Sequence, residues 1–145
     1  LTAPGIPMIW MGEEFGQATD KSIEPRPLQW DLLDNARNQG LFNHYKHLIG
    51  LRKANPALYS ANFEPILNLP GRELIGYKRW TDDGNVVVVV ANLTPYFAGP
   101  FEIRNAGLED GTWHEAIFNY DVTVTGGVLA DTLGESEAKI FIRQG

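Results

Sequence analysis

Gly5-Ile-Pro-Met-Ile-Trp-Met-Gly-Glu-Glu-Phe-Gly16 is the stretch on which the reading of this chain turns. Residues 6–11 are apolar without interruption. They break at Gly12 into a turn that carries Glu13 and Glu14. A half-buried strand alternates polar and apolar side chains, and this one does not. The pattern therefore predicts a short strand covered on both faces, as in a parallel sheet.

The chain beyond this strand is organised differently. Residues 12–37 form a polar loop with no repeating apolar period, and Pro25 and Pro27 prevent a helix around Arg26. A loop of that length inside a compact domain is uncommon and often functional. Residues 38–55 read as a helix. Leu41, Phe42, Tyr45, Leu48 and Ile49 make one apolar stripe. Asn38 or Asp34 is the expected cap, Arg52 and Lys53 complement the helix dipole, and Asn55-Pro56 stops the helix. Gly50 within it predicts close packing against a neighbour.

Residues 57–145 read as all β. Strands are expected at 63–69, 73–81, 86–93, 99–104, 113–118, 122–125, 128–133 and 138–143. Between them Asp82-Asp83-Gly84-Asn85, Glu109-Asp110-Gly111 and Gly126-Gly127 supply tight-turn residues. Short strands separated by such turns predict an antiparallel β-sandwich of Greek-key type. Residues 86–90 are all valine, so this strand also is expected to be covered on both faces. One cover would be the opposing sheet. The other would be the 38–55 helix or a further domain.

The 145 residues include no cysteine, which excludes a disulfide framework and thiolate metal ligands and fits a reducing compartment. A net charge of −6 argues against nucleic acid and gives no attraction to anionic membranes. The apolar runs are too short to span a bilayer. The sequence starts at Leu1, so processing or truncation of a longer parent is expected, and a leader on that parent lies outside the sequence.

Several residues invite a chemical role. Glu13 and Glu14 suggest a glycosidase pair. Such a pair must flank one bond from opposite sides, and neighbouring residues leaving a strand point to opposite faces. At most one can face a given cleft. The alternative is that one carboxylate ties down the loop and the other is solvated. His44 and His47 share a helix face. A metal site needs further ligands, and His114 is the sole other histidine. No metal and no cofactor are expected. Trp80, Tyr96 and Trp113 are candidate sugar-stacking faces, and their alternative is a place in the core. Asn92-Leu93-Thr94 fits a glycosylation sequon, with Pro95 directly after it.

Residues 5–17 resemble the end of the eighth barrel strand in the α-amylase family of glycoside hydrolases (family 13). Met11-Gly-Glu-Glu-Phe-Gly16 is close to the wording of glycogen and starch branching enzymes. Pro27-Leu-Gln-Trp-Asp-Leu-Leu33 resembles the segment that follows the loop in those enzymes. Residues 42–58 resemble the eighth barrel helix and its exit. Gly76-Tyr-Lys-Arg-Trp80 with the valine run, and Ala138-Lys-Ile-Phe-Ile142, are similar to the C-terminal β-domain of the family.

The resemblance implies a fold in two parts. Residues 1–56 would be the last strand, loop and helix of a (β/α)8 barrel, and residues 57–145 an all-β C-terminal domain. Barrel active sites lie at the C-terminal ends of strands. Glu13, Glu14, Phe15 and Trp30 would then stand at the cleft rim. The family's catalytic carboxylates and metal sites lie upstream, so the segment would be inactive alone. Its parent would act on an α-glucan such as starch, glycogen or a maltooligosaccharide, and a branching-enzyme parent favours the cytoplasm. Two other roles follow from the residues. The β-domain would be a carbohydrate-binding module if its aromatic faces are exposed. Without barrel neighbours, residues 1–37 would be partly disordered, repacked, or paired with another copy.

Overall fold

The computed structural model of the chain describes residues 1–18, 23–69, 71 and 73–144. It divides into two units, Leu1–Ala54 and Asn55–Gly145. The part of the 12–37 loop at residues 19–22 lies outside the described residues.

The first unit holds two 3-10 turns, Glu13–Phe15 and Trp30–Asp34, and helix α1 (Ala36–Ala54). The helix starts ahead of the expected position because Asn35, rather than Asp34 or Asn38, caps it. The Asn35 Oδ1 accepts the Arg37 N–H at 2.9 Å. No residue of α1 is fully buried. Its stripe residues Phe42, Tyr45, Leu48 and Ile49 are half-buried, and Leu41 is exposed. Gly50 has open space where a Cβ would stand, so it serves no close contact.

Residues 6–11 depart from expectation. They form no strand, and Ile6, Met8, Trp10 and Met11 are exposed. A parallel strand takes its hydrogen bonds and both its covers from neighbouring strands and helices. Among the described residues no strand pairs with this segment. The residues just before it are held by α1, through Arg52. That side chain donates from Nη1 to the Leu1 carbonyl at 2.7 Å and from Nη2 to the Gly5 carbonyl at 2.9 Å.

The second unit is an antiparallel sandwich. Its strands are β1 (Asn62–Leu69), β2 (Leu74–Trp80), β3 (Val86–Asn92), β4 (Gly99–Ile103), β5 (Gly111–Glu115), β6 (Tyr120–Val124), β7 (Leu129–Leu133) and β8 (Ala138–Arg143). One sheet has the order β1-β2-β3-β8-β5-β6, and the second pairs β4 with β7. The strand expected over 113–118 ends at Glu115, because 116–119 turn back into β6 with Asn119 at φ 60°.

The core lies between the two sheets. Leu74, Val88, Val90, Trp113 and Phe141 of the large sheet meet Phe101, Ile103, Leu129 and Leu133 of the small one. In β3, Val87 and Val89 point away from that core and are still buried. The cover anticipated from a helix or another domain is found closer by. The turn Pro56–Tyr59 packs against β2 and β3, and its Ala57 and Leu58 are fully buried. At the β1 bulge Leu67 stands opposite Gly76, where a Cβ would come within 2.9 Å of the Leu67 Cβ. Only glycine fits there.

Buried polar groups fasten the irregular segments. Arg79 is fully buried on the outer face and donates to the Asn62 carbonyl at 2.9 Å and the Ser60 carbonyl at 2.7 Å. Glu115 is fully buried and accepts backbone N–H groups from Ile117 at 3.1 Å, Phe118 at 2.6 Å and Ile140 at 2.9 Å. Lys139 of β8 pairs with Asp131 of β7 at 3.1 Å, and Tyr120 of β6 donates to the same Asp131 oxygen. This bridge joins the two sheets. Burial first, and then the bond to Asp131, push the Tyr120 phenol up to about 12.

Two measurements test these pins. Glu115→Ala strands three backbone donors, so chemical unfolding is expected to show a loss of about 3 kcal/mol. An unchanged midpoint would remove Glu115 from this role. Asp110 accepts the N–H groups of Gly127 at 2.7 Å and Gly126 at 2.9 Å, and these bonds hold its carboxyl below the ordinary 3.8. The unfolded chain therefore takes up this proton at a higher pH than the folded one. The stabilisation is fully present above the ordinary carboxylate value and is lost as pH falls through the lowered folded value. Asp110→Asn should flatten the acid limb of stability between those two values and leave the slope near neutrality unchanged.

Candidate functional site

The turn after residues 6–11 is closed by geometry that only a glycine-flanked sequence permits. Gly12 has φ 90° and Gly16 φ 74°, both in the left-handed region. Between them Glu13–Phe15 makes one 3-10 turn, and the Gln17 N–H returns to the Gly12 carbonyl at 2.9 Å. A Cβ on Gly12 would sit 3.0 Å from the Gln17 Cβ and 3.2 Å from a Leu28 methyl.

Both carboxylates are engaged locally. Glu13 accepts the Trp10 N–H at 3.0 Å with one oxygen and the Tyr45 hydroxyl at 3.3 Å with the other. Burial, and then Glu13, raise the Tyr45 phenol above its ordinary value. Glu14 bends back to accept the Gly12 N–H at 3.0 Å. The two side chains thus hold the shape of the turn from opposite directions and are not arranged around one shared substrate bond.

Phe15 is fully buried and packs on Trp30 with ring centroids 5.3 Å apart, while Trp30 keeps 59% of its surface exposed. Asn38, read from sequence as a cap, donates its Nδ2 to the Phe15 carbonyl at 2.7 Å. Gln17 accepts the Gln29 N–H at 2.9 Å and so ties the turn to the segment before Trp30. The sequence reads Asn38, Tyr45 and Arg52 as cap, stripe and dipole residues and misses their bonds to this segment. Each acts on a backbone or side chain far away in sequence, so no local pattern marks it. A cleft of about 340 Å³ lies between Ile9 and Met11 on one side and Phe42, Tyr45 and Ile49 on the other, with Glu14 and Lys46 supplying one charge of each sign.

The other candidates separate by exposure. Trp113 is fully buried, and its indole N–H donates to the Glu109 carbonyl at 3.1 Å, so it offers no face to a sugar. Trp80 is half-buried with the Lys78 ammonium 5.1 Å from its ring centroid. Tyr96 is 74% exposed. Asn92 is buried and gives its amide to the carbonyls of Tyr96 at 2.7 Å and Gly134 at 2.6 Å, so the sequon nitrogen is committed within the fold. His44 and His47 lie on the exposed side of α1. Among the described residues no cluster of His, Cys, Asp and Glu could hold a metal ion, and no helix is long and apolar enough to cross a membrane.

No protein-family model matches the chain. Curated relatives do. The chain is 32% identical over 143 residues to a 1,4-alpha-glucan branching enzyme GlgB from Prochlorococcus marinus subsp. pastoris, a match that covers 94% of this chain and 18% of that enzyme. It is 33% identical over 140 residues to the same-named enzyme of Synechococcus sp. (strain WH7803), covering 92% of this chain and 18% of the relative. Over most of its length the chain is homologous to these glucan branching enzymes. It spans less than a fifth of the length of these relatives.

Solved structures share the fold of this chain. AmyP in complex with maltose superposes with a TM-score of 0.70 at 17% identity, over 90% of this chain and 30% of AmyP. The α-amylase of Geobacillus thermoleovorans, solved with acarbose, gives a TM-score of 0.62 at 17% identity, over 72% of this chain and 23% of the amylase.

The Gly12 turn can be tested directly. Gly12→Ala forces a side chain into the left-handed region at a cost of about 1–3 kcal/mol. Hydrogen exchange at the Gln17 amide is expected to accelerate. Gly40→Ala in α1, where a Cβ meets open space, should leave that amide protected.

Proposed function

We propose that this chain is the C-terminal segment of an α-glucan-active glycoside hydrolase or transglycosylase, and that it is not catalytic by itself. Residues 1–56 are the end of a (β/α)8 barrel in the parent, and residues 57–145 its all-β C-terminal domain. The observation that carries this reading is the match along 94% of the chain to an enzyme of which it represents 18%.

In the parent, residues 6–11 form the last barrel strand. Neighbouring barrel elements cover Ile6, Met8 and Trp10, whose exposure here fits a segment built for two covers. Glu13, Glu14, Phe15 and Trp30 stand at the rim of the cleft. There the carboxylates shape the turn while Trp30 presents its open face. The names of the relatives favour transfer of a glucan chain to another glucan hydroxyl, and an α-glucan is the substrate class under either outcome. Glycosidases of this type need two carboxyl groups flanking the scissile bond. Glu13 and Glu14 do not meet that requirement, so the reacting carboxylates come from the rest of the parent.

A chimera tests the proposal. The matching section of the Prochlorococcus branching enzyme is replaced by this chain. The chimera is expected to retain branching of amylose, measured by the fall in iodine absorbance, while the isolated 145-residue chain has none. A folded but inactive chimera, or turnover by the isolated chain, would overturn the assignment.

A further inference from the structure

Asp83-Gly84 and Asp110-Gly111 each join an aspartate to a glycine. Glycine carries no side chain to keep its nitrogen away from the preceding carboxyl carbon. When the nitrogen bonds to that Cγ, the N–H hydrogen and a carboxyl OH leave as water, and a five-membered succinimide closes. Water then opens the ring. Cleavage of the N–Cγ bond restores aspartate. Cleavage at the α-carbonyl leaves the chain running through Cγ, which is isoaspartate, with one more carbon in the backbone. The reaction needs water and no other reagent.

The fold treats the two sites differently. Asp110 is locked. Its two oxygens accept the Gly126 N–H at 2.9 Å and the Gly127 N–H at 2.7 Å, and these bonds lower its affinity for a proton. An ionised carboxylate is a poor electrophile and has no OH to lose. Gly111 belongs to β5 and stands opposite Val124, so its backbone is fixed in the sheet.

Asp83 stands exposed in the loop between β2 and β3. One of its carboxyl oxygens accepts the Thr81 hydroxyl, a donor that draws electrons from Cγ. Gly84 has φ 96°, with open space on its Cβ side. Its N–H donates to the Thr81 carbonyl at 3.0 Å, and a local opening at the loop tip frees it.

The consequence reaches the core through Asn85, at the end of the same loop. Its carbonyl accepts the Thr81 N–H at 3.0 Å, and its N–H donates to the Thr81 hydroxyl oxygen at 3.2 Å. Its Oδ1 accepts the Ala57 N–H at 2.9 Å. That bond fastens the turn whose buried Ala57 and Leu58 cover β3. An added carbon between Thr81 and Asn85 takes this closed loop out of register.

We propose that Asp83-Gly84 is a site of spontaneous isoaspartate formation, that the fold protects Asp110-Gly111, and that isomerisation at Asp83 loosens the Pro56–Tyr59 turn from β3. The product is a free α-carboxylate on an exposed loop. An isoaspartyl methyltransferase recognises that group and moves a methyl onto it from S-adenosylmethionine.

The 145-residue chain is aged at neutral pH, once folded and once in guanidinium chloride. Isoaspartate is then located by peptide mass spectrometry and by labelled methyl transfer from S-adenosylmethionine. In the folded chain, isoaspartate at Asp83 is expected to exceed that at Asp110 about tenfold or more, because Asp110 reacts only when its turn opens. In denaturant the two sites should react at similar rates. Asp83→Glu, whose longer side chain would have to close a six-membered ring, should remove the signal at that position. Hydrogen exchange at the Ala57 amide should accelerate in the isomerised fraction.

Equal or greater isomerisation at Asp110 in the folded chain would overturn the assignment. So would an Asp83 that stays intact while the unfolded chain reacts. The same site preference in denaturant would place the selectivity in the flanking residues and remove the fold from it. Unchanged exchange at Ala57 would break the link to β3. Each readout uses this chain alone, so the outcome is independent of its parentage.

Discussion

Five consecutive valines at residues 86–90 put apolar side chains on both faces of β3, and this double burial is the constraint that organises the second unit. A strand with no wet face must lie inside its sheet, so β3 sits between β2 and β8. One face needs an opposing layer, and β4 and β7 provide it. The other needs a cover as well, which Ala57 and Leu58 supply from the turn before β1. Each completed valine side chain contributes about 1.5–3 kcal/mol by leaving water, so leaving either face open would be costly.

The polar pins are the counterpart of that apolar constraint. A sandwich of short strands has many turns, and every turn leaves backbone groups to satisfy. Arg79 closes the 60–62 segment, Glu115 closes the 116–119 turn, Asp110 closes the Gly126-Gly127 turn, and Asn92 closes the loop after β3. No buried side-chain polar atom among the described residues lacks a partner. Pairs of a buried polar side chain and a particular backbone turn therefore help to specify the fold. Side chains can change widely if the turn is still satisfied.

Two places in the chain that leave an aromatic ring exposed share one construction. At Gly12–Phe15, carboxylates are used up in shaping a turn, and an aromatic ring at Trp30 is left open beside it. At 92–99, an amide and a hydroxyl are used up in shaping a loop, and the rings of Tyr96 and Phe97 are left open. In both places the polar groups that look chemical in the sequence have a structural role. The groups that remain available are aromatic faces.

Local signals were legible in the sequence. The eight strands fall close to their expected positions because alternation, valine content and turn residues are properties of neighbouring residues. Helix α1 was readable from its stripe, and the family from its order of motifs. Long-range facts were not. Whether Trp113 or Tyr96 offers a ring depends on what the opposing sheet covers, and the two look alike in a string of letters. Residues 6–11 carry the pattern of a doubly covered strand, yet pairing needs neighbours, and none among the described residues supplies it. Sequence alone determined which segments can be strands, helix and turns. Tertiary structure alone decided which faces are buried, because burial belongs to pairs of segments distant in the chain.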